Sequence, residues 1–171
     1  YLTPGGAYYH AGSNFTNHVP GTYFSYCNVG AALAGYLIER INPDSLSFED
    51  YCQQHIFAPL GMNNSSWFLA NLDAGDIAVP YHANGSSPYP QYGHPFYPCG
   101  FLRTSSSQLA RHLMTFMQHG QIEGTRILDS TTVELMTTVQ FPDVSPGFGL
   151  FWMTGLLGEG RTMWGHSGSY Y

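Results

Sequence analysis

A mixed α/β fold of the α+β kind, with a helical region followed by strands of an antiparallel sheet, is what this sequence predicts. Three observations carry that expectation. Residues 28–41, "NVGAALAGYLIERI", set Val29, Leu33, Leu37 and Ile41 four apart, as one apolar stripe of a helix requires. Residues 105–120 repeat the pattern, with Leu109, Leu113, Phe116 and Met117 as an expected buried stripe. Near the end, "GFGLFWMTG" and "GRTMWGHSGS" read as two strands, and Gly155, Gly158 and Gly160 suit a hairpin connection between them. Helices come first and paired strands last, without the alternation of a parallel-sheet fold.

The remaining elements follow in order. Residues 1–22 are loop-like, punctuated by Pro4, Gly5, Gly6, Gly12, Pro20 and Gly21. In the first helix Gly30 and Gly35 each cost roughly 1 kcal/mol of propensity relative to alanine, which predicts close packing against another element. Asn42 and Pro43 end it. Ser47, with Asp50 three residues on, caps a second helix whose inner face is Phe48, Tyr51, Cys52, His55 and Ile56, and Pro59 stops it. "APLGMNNSSWF" is a turn leading into a short strand. Residues 71–100 are dense in Pro, Gly, Tyr and Asn; they are either an ordered loop that lines a site or a surface excursion. Ser105 and Gln108 form a capping box for the third helix, and Gly120 ends it. "EGTRIL" is a turn and short strand, and Asp129 or Ser130 caps a brief helix through Met136.

Composition narrows the chemistry. At 171 residues, 43% hydrophobic and 9% charged, the chain can bury a core and is not of the disordered type. No run approaches the roughly 20 apolar residues of a membrane-spanning helix. A net charge of −6 with no basic cluster argues against a nucleic-acid partner. There is no lysine, and all five cations are arginines. Cys27, Cys52 and Cys99 are an odd set without close spacing, which suits neither a disulfide framework nor a zinc site. Eight histidines include no H-x-H or H-x-x-x-H pair, so no metal is expected. Sequons at Asn14, Asn63, Asn64 and Asn84 carry little weight in a chain so rich in Asn, Ser and Thr. The chain opens on Tyr1 without a signal-peptide pattern and reads as a piece of a longer protein.

The candidate chemistry lies at two places. "GHSGS" at the end invites Ser167 as a nucleophile, but a nucleophile elbow needs Gly-x-Ser-x-Gly, and Ser169 stands where the second glycine belongs. The other place is Tyr26-Cys27-Asn28, at the mouth of the first helix. Read alone, Tyr26 is either a reactive phenol or one more packed aromatic, and Asn28 either a substrate-binding amide or the helix N-cap.

Taken together, these stretches resemble the serine β-lactamase and penicillin-binding-protein superfamily, in its class C β-lactamase, D-alanyl-D-alanine carboxypeptidase and esterase branch. Pro20, Gly21, Phe24, Tyr26 and Asn28 match the family's Pro-Gly-x-x-(Phe/Tyr)-x-Tyr-(Ser/Ala)-Asn passage, and Pro59-Leu60-Gly61-Met62 its "PLGM". "CGFLRTSSSQLARHL" is similar to its Gly-Gly-Leu-x-(Ser/Thr)-(Ser/Thr)-x-x-Asp-Leu-Ala-Arg passage, "GFGLFW" to its Tyr-Gly-Leu-Gly-Trp strand, and "GHSGS" to its (Lys/His)-(Ser/Thr)-Gly motif. Cys99, Phe101 and Gln108 depart from that pattern, which bears on pocket shape.

The resemblance implies a partial β-lactamase/transpeptidase-like fold. Residues 1–140 would form a helical region carrying Tyr-x-Asn, and 141–171 the sheet strands carrying His-Ser-Gly. It implies a serine hydrolase acting through an acyl-enzyme on a small-molecule or peptide-like amide or ester, with a peptidase or esterase leaning. No cofactor or metal is implied, and a periplasmic or secreted location is favoured. Tyr26, Asn28 and His166 would be catalytic. Ser167, Gly168 and Ser169 would line the substrate and oxyanion side, the Ser169 N–H forming half of the oxyanion hole. The family's Ser-x-x-Lys element cannot lie in a chain without lysine. A non-catalytic binding or regulatory relative is the alternative. An unrelated α+β binding domain is a further one, and it predicts Tyr26 and His166 far apart.

Overall fold

The computed structural model describes residues 3–156 and 160–168. Its elements are α1 (Asn28–Ile41), α2 (Phe48–Cys52), α3 (Ser106–Met117), β1 (Gln121–Ile122), β2 (Thr125–Arg126), α4 (Ser130–Met136), β3 (Met153–Leu156) and β4 (Thr162–Gly165). The mixed helical and antiparallel character matches expectation. The chain forms two compact units: Tyr1–Val29 with Glu134–Tyr171, and Gly30–Val133.

The second unit holds a small core of Cys52, Phe57, Leu60, Met62 and Ile122, flanked by Phe48, Ile56, Trp67, Leu102 and Ile127. Asn42 closes α1 as expected: its Nδ2 donates to the carbonyls of Ile38 and Leu46, and its Oδ1 accepts the Leu46 N–H. Ser47 caps α2 through the Asp50 N–H at 3.1 Å, and its hydroxyl donates to the Asp50 carboxylate at 2.6 Å. A π-type turn, Gln53–Phe57, follows at once, which drives Phe57 and then Leu60 into the core and leaves His55 exposed, contrary to the expected inner face.

Two helix faces also differ from expectation. Leu33, Leu37 and Ile41 of α1 are exposed, and the buried position is Gly35. A Cβ there would lie 2.7 Å from Pro98 Cβ, so the absent side chain admits the proline ring. In α3, Leu109, Leu113 and Met117 are exposed, and Thr115 is the residue sealed inside. Periodicity locates an apolar stripe but not what lies against it. In both helices the contact is made by a small residue that permits close approach. The Ser105 cap of α3 is present, accepting the Gln108 N–H at 3.3 Å, but the Gln108 side chain turns to Asn64 N and Ser65 Oγ in place of closing the box.

α3 ends at Met117, earlier than the expected stop at Gly120: His119 takes the left-handed conformation first, at φ +55, and Gly120, at φ +90, donates to the Thr115 carbonyl and receives the N–H groups of Ile127 and Leu128 on its own. β1 and β2 pair antiparallel through Glu123 and Gly124, both with positive φ (+49 and +84), as a two-residue hairpin turn demands. Between the core and α3 runs the long segment 71–100. Phe101 closes it in the left-handed region at φ +68, its ring set against Tyr92 at 5.6 Å and stacked on His94 at 5.7 Å.

In the first unit β3 and β4 pair antiparallel with Met153 opposite Gly165 and Leu156 opposite Thr162. The expected strand over "GFGLFWMTG" is shorter than its sequence suggested. Phe148 bridges back to Met153, the Gly149 N–H bonds the Trp152 carbonyl, and Phe151 takes φ +61, so the glycine-rich entry is a tight reversal. Of the glycines expected to connect the strands, Gly155 lies within β3 and Gly158 lies outside the described residues.

Two outcomes follow from this packing. An added Cβ at Gly120 would sit 2.1 Å from the Leu128 carbonyl oxygen in a backbone conformation that L-residues avoid. Gly120→Ala is therefore expected to destabilise the protein by roughly 2–4 kcal/mol in denaturant titration. Burial, with the nearby Glu49 charge adding to it, pushes the Cys52 thiol up to about 12. An acid whose folded value is raised loses stability as pH climbs from its unfolded value, near 8.5, through its folded one. The melting temperature is expected to fall between pH 8.5 and 11, with a visibly shallower fall in Cys52→Ala.

Candidate active site

The geometry around Tyr26 is built from a turn. Pro20 and Gly21 occupy the central positions of a four-residue reversal closed by the Thr22 N–H on the Val19 carbonyl at 3.1 Å. Gly21 has φ +83, the pattern of a type II turn with proline first and glycine second. The Thr22 hydroxyl donates to the same Val19 carbonyl at 2.7 Å. Beyond the turn, Phe24 packs on Phe148 with ring centroids 4.4 Å apart, and the Phe141 ring edge lies where a Cβ on Gly21 would touch it, at 3.5 Å. Phe141 and Phe148 thus seat the segment that leads to Tyr26. Sequence reasoning missed both: "GFGLFW" reads Phe148 as a strand residue, and Phe141 lies in a stretch without a motif.

Tyr26 is 57% exposed, its ring bare enough to meet a ligand. Asn28 is exposed and is the first residue of α1, so it starts the helix and does not precede it. From the other end of the chain, β4 finishes at Gly165 and releases His166 directly after the strand, where it had been expected on the strand itself. Its ring centroid lies 5.9 Å from that of Tyr26, the planes inclined by 42°. A phenol and an imidazole far apart in sequence are thereby neighbours on one surface of the first unit. That is the opposite of what accidental motifs in an unrelated domain would give.

The imidazole has a defined proton. Nδ1 of His166 lies 2.6 Å from the Ser167 carbonyl oxygen, which can only accept. Nδ1 therefore carries the hydrogen, and Nε2 is left as an acceptor in the neutral ring. Ser167 and Gly168 follow, both exposed. Ser169, expected on the oxyanion side, lies outside the described residues.

With this geometry in hand, comparison with known proteins is direct. The Beta-lactamase family model matches residues 6–171. The chain belongs to the beta-lactamase family. It is similar to the octameric penicillin-binding protein homologue from Pyrococcus abyssi, with 30% identity and a TM-score of 0.69 over 88% of this chain and 34% of that one. It is 24% identical to Protein flp of Staphylococcus aureus over 133 residues, 76% of this chain and 26% of that protein. The D-amino acid amidase from Ochrobactrum anthropi shares the fold, with a TM-score of 0.60 at 21% identity over 84% of this chain and 42% of that one. The chain thus spans about a quarter of the length of the curated relatives it matches.

Magnetisation transfer between ring protons reads the central contact directly. In a labelled sample, Tyr26 and His166 are expected to show a cross-peak, and Phe148→Ala is expected to weaken it by loosening the seat under Phe24. A wild-type spectrum without the cross-peak would break the site.

Proposed function

We infer that this chain forms part of a serine hydrolase that works through an acyl-enzyme on amide or ester substrates. Tyr26, Asn28 and His166 would be supplied by these residues and the nucleophilic serine by polypeptide outside them. The observation that supports the reading most is the 5.9 Å approach of the Tyr26 and His166 rings. Family membership supports it at a coarser level.

The steps follow from the residue types. A serine hydroxyl becomes nucleophilic only as a base removes its proton. Tyr26 Oη takes that proton while the serine Oγ bonds to the substrate carbonyl carbon. It then returns the proton to the leaving amine or alcohol as the bond to that carbon breaks. Water repeats the sequence to release the acid and restore the serine. A free phenol titrates near 10, so the phenolate needs a cation beside it, which the resemblance assigns to the lysine of Ser-x-x-Lys. Asn28 offers its amide to the substrate's acyl-side carbonyl. His166, with Nδ1–H bound to the Ser167 carbonyl, keeps Nε2 for the phenol or the substrate. Ser167 and Gly168 would lie on the substrate side, and the Ser169 N–H would serve the oxyanion.

The complete protein, assayed with an activated nitrophenyl ester and a fluorescent penicillin, tests this. Tyr26→Phe is expected to lower kcat roughly 10²- to 10⁴-fold with melting unchanged, since the ring is more than half exposed. An unchanged kcat, or covalent labelling on Ser167 in place of a serine from a Ser-x-x-Lys element, overturns the assignment.

A further inference from the structure

The second unit carries a half-open hollow of about 370 Å³ that the hydrolase reading leaves unused. Leu72, Ile77 and Leu102 give it an aliphatic lining, and Arg103, Asp76 and Asn64 are its principal polar groups. Arg103 is immobilised. Its Nε donates to Gln91 Oε1 at 3.3 Å, its Nη1 to the carbonyls of Trp67 and Phe101 at 2.9 and 3.4 Å, and its Nη2 to that of Tyr92 at 2.7 Å. All of these acceptors are neutral. A guanidinium has five N–H groups, so one on Nη2 is left over.

Asp76 ends the short 3-10 turn Ala74–Asp76, and its Oδ2 accepts from Asn64 Nδ2 at 2.9 Å. That leaves Asp76 Oδ1 and Asn64 Oδ1 as a pair of acceptors. The ion pair found among the described residues joins Arg111 to Glu123, and neither Arg103 nor Asp76 has one. A fixed cation and an anion, each without an ionic partner, thus line one hollow that also offers aliphatic surface. Ser105, the N-cap of α3, lines it too and brings the positive end of that helix. The arginine's side-chain entropy is already spent in holding the loop, which lowers the cost of using it on a ligand.

We propose that this cavity binds a zwitterionic dipeptide with an aliphatic side chain. Its carboxylate meets Arg103 Nη2 and the α3 N-terminus, and its ammonium meets Asp76 Oδ1 and Asn64 Oδ1. Size agrees: a sphere of that volume is about 9 Å across, and two extended residues span about 7 Å. The site is separate from the hydrolase reading and stands or falls without it.

Calorimetric titration of the complete protein carrying Tyr26→Phe, which suppresses turnover of the probe, decides the matter. Alanyl-leucine is expected to bind saturably, with N-acetyl-alanyl-leucine and alanyl-leucinamide each at least tenfold weaker. Asp76→Asn, at an exposed residue with one side-chain bond, is expected to weaken alanyl-leucine at least tenfold and leave the N-acetyl form unchanged. Equal binding of the N-acetyl form, indifference to Asp76→Asn, or no saturable heat at millimolar dipeptide overturns the proposal.

Discussion

A buried carboxylate organises the second unit. Glu49 is 3% exposed, and its Oε1 accepts from Ser66 Oγ at 2.5 Å, Gln53 Nε2 at 3.0 Å and Asn71 Nδ2 at 3.3 Å, while Oε2 takes the Trp67 N–H at 3.2 Å. Removing such a group costs more than the bonds themselves, because the fully buried Ser66 hydroxyl would lose its carboxylate acceptor. The consequences spread outward from Ser66. Its backbone exchanges both hydrogen bonds with Arg103, at 3.0 Å each. Arg103 in turn reaches the carbonyls of Trp67, Tyr92 and Phe101. One acidic side chain at the start of α2 therefore fixes the two ends of the long aromatic segment that lies between.

The helices, their caps and the closing hairpin were readable because each has a local cause. Ser47 and Ser105 have a hydroxyl facing a bare N–H, Asn42 has an amide that closes on its own helix, and Gly120 supplies part of the left-handed turn that follows α3. What the sequence withheld was the environment of each apolar face. Leu33, Leu37 and Ile41 look like a core stripe by spacing, yet Gly35 makes the contact, since closeness of approach depends on the smallest residue and hydropathy does not report it. The reversal at residues 148–153 was hidden for a related reason. Phe151 adopts a left-handed backbone that its own residue type disfavours, and only tertiary context selects it.

The candidate active site was legible in part. Tyr26, Asn28 and His166 could be named through the family resemblance, and the meeting of Tyr26 with His166 required only that the strand pair and the segment leading into the first helix share one unit. The platform of Phe141 and Phe148 beneath them could not be read, nor could the cavity around Arg103 and Asp76. Arg103 stands at an unspecified position of its family-like passage, and Asp76 lies in no matched stretch. They are joined by a loop whose path is set by carbonyl oxygens accepting from a guanidinium, and main-chain acceptors leave no trace in composition.

Phe101 occupies a place where the family pattern has glycine, and glycine would adopt its backbone angles freely. A phenylalanine there carries a steric penalty of about 1–2 kcal/mol, which stacking on His94 and the edge-on contact with Tyr92 must offset. The three positions are therefore bound to drift together. Loss of either partner ring leaves the strain unopposed, and the nearest way back to a relaxed chain is a glycine at this position.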